Sequence, residues 1–457
     1  MNQEQNARTL GVTVVGDFIV SEGVEPILDN LQRAGVTAVA CTPTVAAPAA
    51  EGEGILEPPE DAGSSPRLFD RNLFGRRALR ITEAPSYHPD VRHYAGCAYS
   101  PPKPTHLTDK HGDLIQQFID AALERGMQVT FHLQAAIPPG LRDEDRPRLP
   151  DGRIPAGRMA DTASLASEAV RAYNRARTSD LLARYPQITG FRIDWPEYPC
   201  YTLGETFQDF GPQVADWARE RGYDFDAIRT AVARFHEYLH GGLTNEDLEP
   251  FADAEPTEDG MSAMAAKLLN RHKAVGDWLL LKAKLSKDII ACWRQAISDC
   301  DESRRLIAHA FMPPYSLVSG FDFAGAGDHC DAIAPKLYTM HWSLMIQFWS
   351  EQLLKHNRGL DERLLVRAVV NLMGLAHPSG ARRSPTTAIR NRTSRTSSQT
   401  NRSEERFNTS SRPCDKAPHA PSAPWSTATV HWTTSCTGFE SPSNPNVPSS
   451  GSTVTAT

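Results

Sequence analysis

Between Gly11 and Leu372 short apolar, β-branched runs alternate with longer runs of helical spacing, and this alternation constrains the fold more than any other feature. The first expected strand is Gly11 to Val20, GVTVVGDFIV, ending at Asp17. Val24, Ile27, Leu28 and Leu31 then repeat at helical spacing, and Gly35 stops the helix. Val36 to Val45 is a second β-branched run. Strand, helix and strand in so short a stretch form a βαβ unit, so the two strands should lie parallel. Further strands are expected at Met127 to Ala135, from Ile188, at Arg305 to Met312, at Asp331 to Tyr338 and at Leu364 to Leu372. Seven strands alternating with helices predict an α/β fold, a (β/α)8 TIM-type barrel.

Three stretches depart from the repeat. Ala46 to His111 is a long excursion, loop-like at first and then rich in aromatics, including Phe69, Phe74, Tyr87, Tyr94 and Tyr99. It is expected to form a wall over a cleft. After the fourth strand, roughly residues 205–300 read as a helical insertion, since one barrel repeat needs a single helix. From about Ala376 the composition turns to Ser, Thr, Pro and Arg with hardly an aliphatic run. Such a composition builds no core. The expected organisation is a barrel over 1–375, incomplete at its C-terminal end, and a disordered tail over 376–457. That tail reads as a carboxyl end replaced by a reading-frame shift.

The 457 residues carry a formal net charge of -7 and give no basic field for nucleic acid. No apolar run is long enough to span a membrane, and the polar opening residues show no signal peptide, so a cytoplasmic location is expected. The eight cysteines, at 41, 97, 200, 292, 300, 330, 414 and 436, form no C-x-x-C pair and read as reduced thiols. Neither a cofactor nor a metal site is called for, and the oligomeric state is open.

Chemistry concentrates in Ile188 to Tyr201, ITGFRIDWPEYPCY. Ile188, Phe191 and Ile193 make a buried strand, which Pro196 and Pro199 forbid to continue. Asp194 and Glu197 therefore sit just past a strand, at the carboxyl edge where parallel sheets bind ligands. Glycosidic cleavage needs one ionised and one protonated carboxyl flanking the bond. Asp194 is the expected nucleophile or base and Glu197 the expected acid, with roles interchangeable. Arg192 should share a face with Asp194 and keep it ionised, whereas Trp195 and Tyr198 flank Glu197 and could raise its pKa. Other polar residues near strand ends are candidate substrate contacts: Asp17, His132, His309, Lys336 and Tyr338, with His341 and Asn371 behind them. Trp342 is a candidate sugar platform.

GFRIDWPEYP resembles the fourth-strand motifs of glycoside-hydrolase barrels. Gly190 to Asp194 is similar to the G-F-R-x-D of the α-amylase family, which implies a nucleophilic Asp194 supported by Arg192. Ile193 to Pro199 is similar to the D-W-E-Y-P end of family-18 chitinases, which implies Glu197 as general acid. Pro196 is an extra residue in that second likeness, and Arg192 stands where the chitinases have an aspartate. The resemblance implies a carbohydrate substrate. Two rival functions remain: a barrel that binds sugar without cleaving it, and a zinc peptidase using His236, Glu237 and His240, whose HEYLH fits the H-E-x-x-H pattern.

Overall fold

The computed structural model describes residues 9–57, 72–254, 272–337, 339–374 and 453–454. Six strands run parallel in the order β1 (Gly11–Val14), β2 (Ala38–Cys41), β6 (Gln128–Gln134), β7 (Gly190–Asp194), β8 (Arg305–Phe311) and β9 (Ala332–Lys336). They form a curled half-barrel, a partial TIM-type fold, with helices around it. A two-residue strand, β10 (Thr453–Val454), pairs parallel with β9 at Ala332 and Ile333. Apart from β10, the tail expected over 376–457 lies outside the described residues, as does Leu375.

Alternation along each strand divides the sheet into two faces. Phe131, Leu133, Phe191, Ile193, Leu306 and Ala308 turn outward and are buried under helices. Phe131 meets Tyr185 edge-on at 5.1 Å, and Phe191 meets Trp293 of the helix Lys273–Asp301 at 6.3 Å. The other face carries His132, Arg192, Asp194, His309 and Lys336. Small side chains at Gly11, Ala38, Ala40, Ala332 and Ala334 leave a cavity of about 60 Å³ towards the amino-terminal ends of the strands.

The first expected strand is only half a strand. β1 stops at Val14, and Gly16 opens the helix Gly16–Glu22, which carries Asp17 in its first turn. A Cβ on Gly16 would lie 1.8 Å from the Thr44 carbonyl oxygen, so the chain turns there only without a side chain. Gly190 has the same task where β7 passes β8, since its Cβ would fall 2.1 Å from the Arg305 carbonyl oxygen. The second expected strand also divides: past Cys41 the chain enters β3 (Thr44–Pro48), which joins β4 (Ile55–Glu57) and β5 (Leu79–Pro85) in a separate antiparallel sheet.

The aromatic half of the excursion packs into the core. Tyr87 and Tyr94 both donate to Asp180 at 3.1 Å, on the helix Glu168–Arg184, and Tyr99 donates to Asp145 at 2.5 Å. Phe69 lies outside the described residues. The expected seventh strand is a helix, Glu362–Leu372. Asp361 caps it by accepting from Leu364 N at 2.8 Å, and Leu365 and Ala368 bury one face. Between β7 and β8 the described residues form the helices Leu203–Thr206, Pro212–Glu220, Phe225–Glu237, Asn245–Ala252 and Lys273–Asp301. All six cysteines among the described residues are free thiols, and no described helix is long and apolar enough to cross a membrane.

Candidate active site

Strand register brings the polar residues together. His132 lies opposite Arg192, Gln134 opposite Asp194, Asp194 opposite His309, and Phe311 opposite Lys336. Four neighbours converge on the Asp194 carboxylate. Lys336 Nζ stands 2.5 Å from Oδ1, His309 Nδ1 stands 3.4 Å from the same oxygen, and His132 Nε2 is 3.6 Å from Oδ2. Its own chain adds a fourth, because Trp195 N donates to Oδ1 at 2.9 Å. Burial works to raise the Asp194 pKa, but Lys336, then His309 and His132, outweigh it and hold the group well below the usual carboxylate range.

Glu197 is treated differently. It is fully buried; Oε1 accepts from Phe311 N at 2.8 Å, and Oε2 has no hydrogen-bond partner among the described residues. Burial pushes its pKa up to about 8, against the pull of Lys336 and the Phe311 N–H and with some help from the charge of Asp194. The two carboxyls are therefore pushed in opposite directions, Asp194 down and Glu197 up.

Arg192 shares the face of Asp194, as its spacing predicts, but the cation beside that carboxylate is Lys336. Arg192 Nε donates to His132 Nδ1 at 3.2 Å, and its Nη2 donates to Thr13 Oγ1. The donated bond leaves the lone pair of the neutral His132 ring on Nδ1 and its proton on Nε2, facing Asp194. Burial pushes the His132 pKa down to about 3 and also lowers that of His309, so both rings are neutral near pH 7.

The side chains of His132, Asp194 and His309 bring ligand atoms within 4.8 Å of one another, the one such metal-sized group among the described residues. The donor set does not fit a metal as it stands. His132 presents N–H rather than a lone pair towards the centre, and the Lys336 ammonium already occupies the carboxylate.

The remaining candidates scatter. Trp195 is half-buried with φ of +49°, in the left-handed region, and its ring lies 4.4 Å from Lys336 Nζ. Tyr198 is fully buried; its hydroxyl donates to Asp209 and accepts from Leu165 N, both at 3.1 Å, so it braces the loop from within. Asp17 is buried at the rim beyond β1, where burial raises its pKa and its charge acts on Glu83. Trp342 is half-buried on the helix Thr339–His356, and its carbonyl accepts from Tyr315 at 2.8 Å. Asn371 lies in the helix Glu362–Leu372 rather than at the end of a strand and donates to the carbonyls of Phe251, Ala252 and Ala254. Tyr338 and the His341 side chain lie outside the described residues.

In HEYLH, the His236 and His240 rings stack at 4.0 Å, and His240 Nδ1 donates to the His236 carbonyl at 2.7 Å. Stacked rings do not converge on one ion, and this group is not the metal-sized one. Two contributors escape sequence reading. The Phe311 N–H holds Glu197, and the Phe311 ring lies 4.9 Å from Lys336 Nζ. Thr13 anchors Arg192. Phe311 shares parity with His309 two residues earlier, which was the available signal.

No family model matches the chain, and no curated protein sequence matches it. Among the solved structures it resembles are glycoside hydrolases. The PgaB (BpsB) glycoside hydrolase domain from Bordetella bronchiseptica aligns at 14% identity and TM-score 0.42, over 81% of this chain and 92% of that one. The β-galactosidase from the psychrophilic Marinomonas ef1 aligns at 13% and 0.39, over 72% of this chain and 40% of that one. The β-galactosidase from Halorubrum lacusprofundi aligns at 14% and 0.38, again over 72% and 40%. This chain thus spans about two fifths of the length of either β-galactosidase. The functional reading rests on the site's own geometry.

Proposed function

We propose that this chain is a glycoside hydrolase acting on O-glycosidic bonds, with Asp194 as the ionised carboxylate and Glu197 as the proton donor. One observation carries the reading: two carboxyls three residues apart are pushed in opposite directions, Asp194 down and Glu197 up to about 8. Such a divided pair is what acid-assisted glycosidic cleavage requires. Asp194 supplies negative charge to the anomeric carbon, as nucleophile or as base for water, and the proton on Glu197 goes to the leaving oxygen. Its Oε2, buried and without a hydrogen-bond partner among the described residues, is the oxygen assigned to deliver it in this reading. Tyr198, His132 and Arg192 act by orienting the machinery, and Trp195 is the ring available to a sugar face.

A second reading, a sugar-binding barrel without turnover, is favoured by the ends of β8 and β9, which offer Phe311 and Lys336 in place of another carboxylate. A panel of p-nitrophenyl glycosides separates the two. Turnover lost by at least about 100-fold in Asp194→Asn and in Glu197→Gln, with both variants folded, supports the enzyme. Saturable sugar binding without turnover supports the second reading.

A further inference from the structure

We propose that Lys336 is the positioning residue of this site: wedged between the Asp194 carboxylate and the Trp195 ring, its ammonium makes two near-adjacent carboxyls chemically unequal. The inference deepens the glycosidase reading and rests on it only for the use to which the inequality is put.

The geometry starts from β9. Lys336 is its last residue and is 2% exposed. Its register partner is Phe311, the last residue of β8. That pairing brings Nζ over two rings, 4.9 Å from the Phe311 centroid and 4.4 Å from that of Trp195, and to 2.5 Å from Asp194 Oδ1. Aromatic faces attract a cation, so the rings hold the ammonium where the carboxylate meets it. Phe311 serves both sides, since its amide holds Glu197 Oε1.

The two acids therefore receive unequal company. Asp194 has the ammonium at 2.5 Å, two imidazoles and a backbone N–H, whereas Glu197 has backbone N–H groups, that of Phe311 and its own, and the ammonium only as a neighbouring charge. The charged and titratable groups around Lys336 are His132 on β6, Arg192 and Asp194 on β7, Glu197 and Cys200 beyond it, and His309 on β8. Lys336 is the cation that acts most strongly on Asp194 and also on Glu197.

The same contact explains the backbone of Trp195. Its φ of +49° is a conformation that L side chains rarely adopt. The amide bond to Asp194 Oδ1 fixes one end of this turn, and the ammonium over the indole fixes the other. Removing Lys336 should loosen both carboxylate and ring.

The test needs no substrate, so its failure is distinct from failure of the glycosidase reading. Protein labelled with 13C at Asp and Glu side-chain carboxyls is titrated by NMR, with Asp194→Asn and Glu197→Gln supplying the assignments. In the wild type, Asp194 should remain ionised below the ordinary carboxylate range. In Lys336→Met its titration should rise by about 1–3 pH units and that of Glu197 by less, so that the gap between the two narrows; an equal rise overturns the proposal. In Lys336→Ala, added methylammonium should return the Asp194 titration towards the wild-type position, which a merely structural residue would not produce. An unmoved Asp194 titration in a folded Lys336→Met protein overturns the proposal. So does a wild-type Asp194 that titrates as an ordinary carboxylate, a result that needs no variant.

Discussion

At the scale of single residues, this site uses burial twice, with opposite results. Asp194 is buried beside the Lys336 ammonium and a backbone donor, and Glu197 is buried with less company. The sign of the Glu197 effect on stability follows. Its folded pKa, about 8, lies above that of an unfolded glutamate, so the folded state keeps a proton that the unfolded state releases. Its contribution is complete below about pH 4.5 and is lost as the pH climbs towards about 8. The stability of the wild type relative to Glu197→Gln should therefore fall across that window, measurable as a shrinking difference in urea midpoints. In activity, the same group predicts an alkaline limb of kcat/KM near pH 8. Arg192→Met should destabilise by about 1–3 kcal/mol in urea melts, because it strips donors from half-buried His132 and Thr13. Sequence revealed Asp194 and Glu197 because two prolines mark where their strand stops. It placed His132, His309 and Lys336 near strand ends but could not show them meeting. That depends on register between strands as far apart in sequence as β6 and β9.

Elements were legible wherever pattern and caps agreed. Gly11 to Val14, Ala38 to Cys41, β6, β7, β8 and β9 fall inside the expected strands. Leu364 to Leu372 misled because Val366, Val369 and Val370 suggest a strand, while Leu365, Ala368 and Leu372 recur at helical spacing behind an aspartate cap. Asp361→Ala should cost about 1 kcal/mol, read by chemical denaturation. A larger effect is expected where the helix Phe225–Glu237 runs into the segment Tyr238–Gly242. There His236 stacks on His240, and His356 meets His240 at 4.8 Å. Burial, then the neighbouring His240, push the His236 pKa down to about 4. A depressed histidine contributes stability above its unfolded value, near 6.5, and loses it as the pH falls towards about 4. The melting temperature should drop across that acid window, and His236→Gln should flatten the drop. Sequence drew attention to this motif for zinc, but local spacing cannot tell converging nitrogens from stacked rings.

At the scale of the whole molecule, the partial barrel of the described residues was legible as a repeat of strands and helices. Where the chain leaves the barrel was less clear, because the helix Gly16–Glu22 and the sheet of β3, β4 and β5 grow directly out of expected strands. The six-strand body and its helices bury a shared apolar core, so a truncation after Leu375 should melt cooperatively, as should the full chain. A transition in only the full chain would show that the body needs its tail. The half-barrel has one more consequence. Among the described residues β1 pairs on one side only, with β2. The amides and carbonyls that a closed ring would satisfy there are a template for any extended segment that arrives. Crowding therefore becomes a variable: sedimentation velocity should show association growing with concentration, as the open side of β1 in one molecule takes up an extended segment of another.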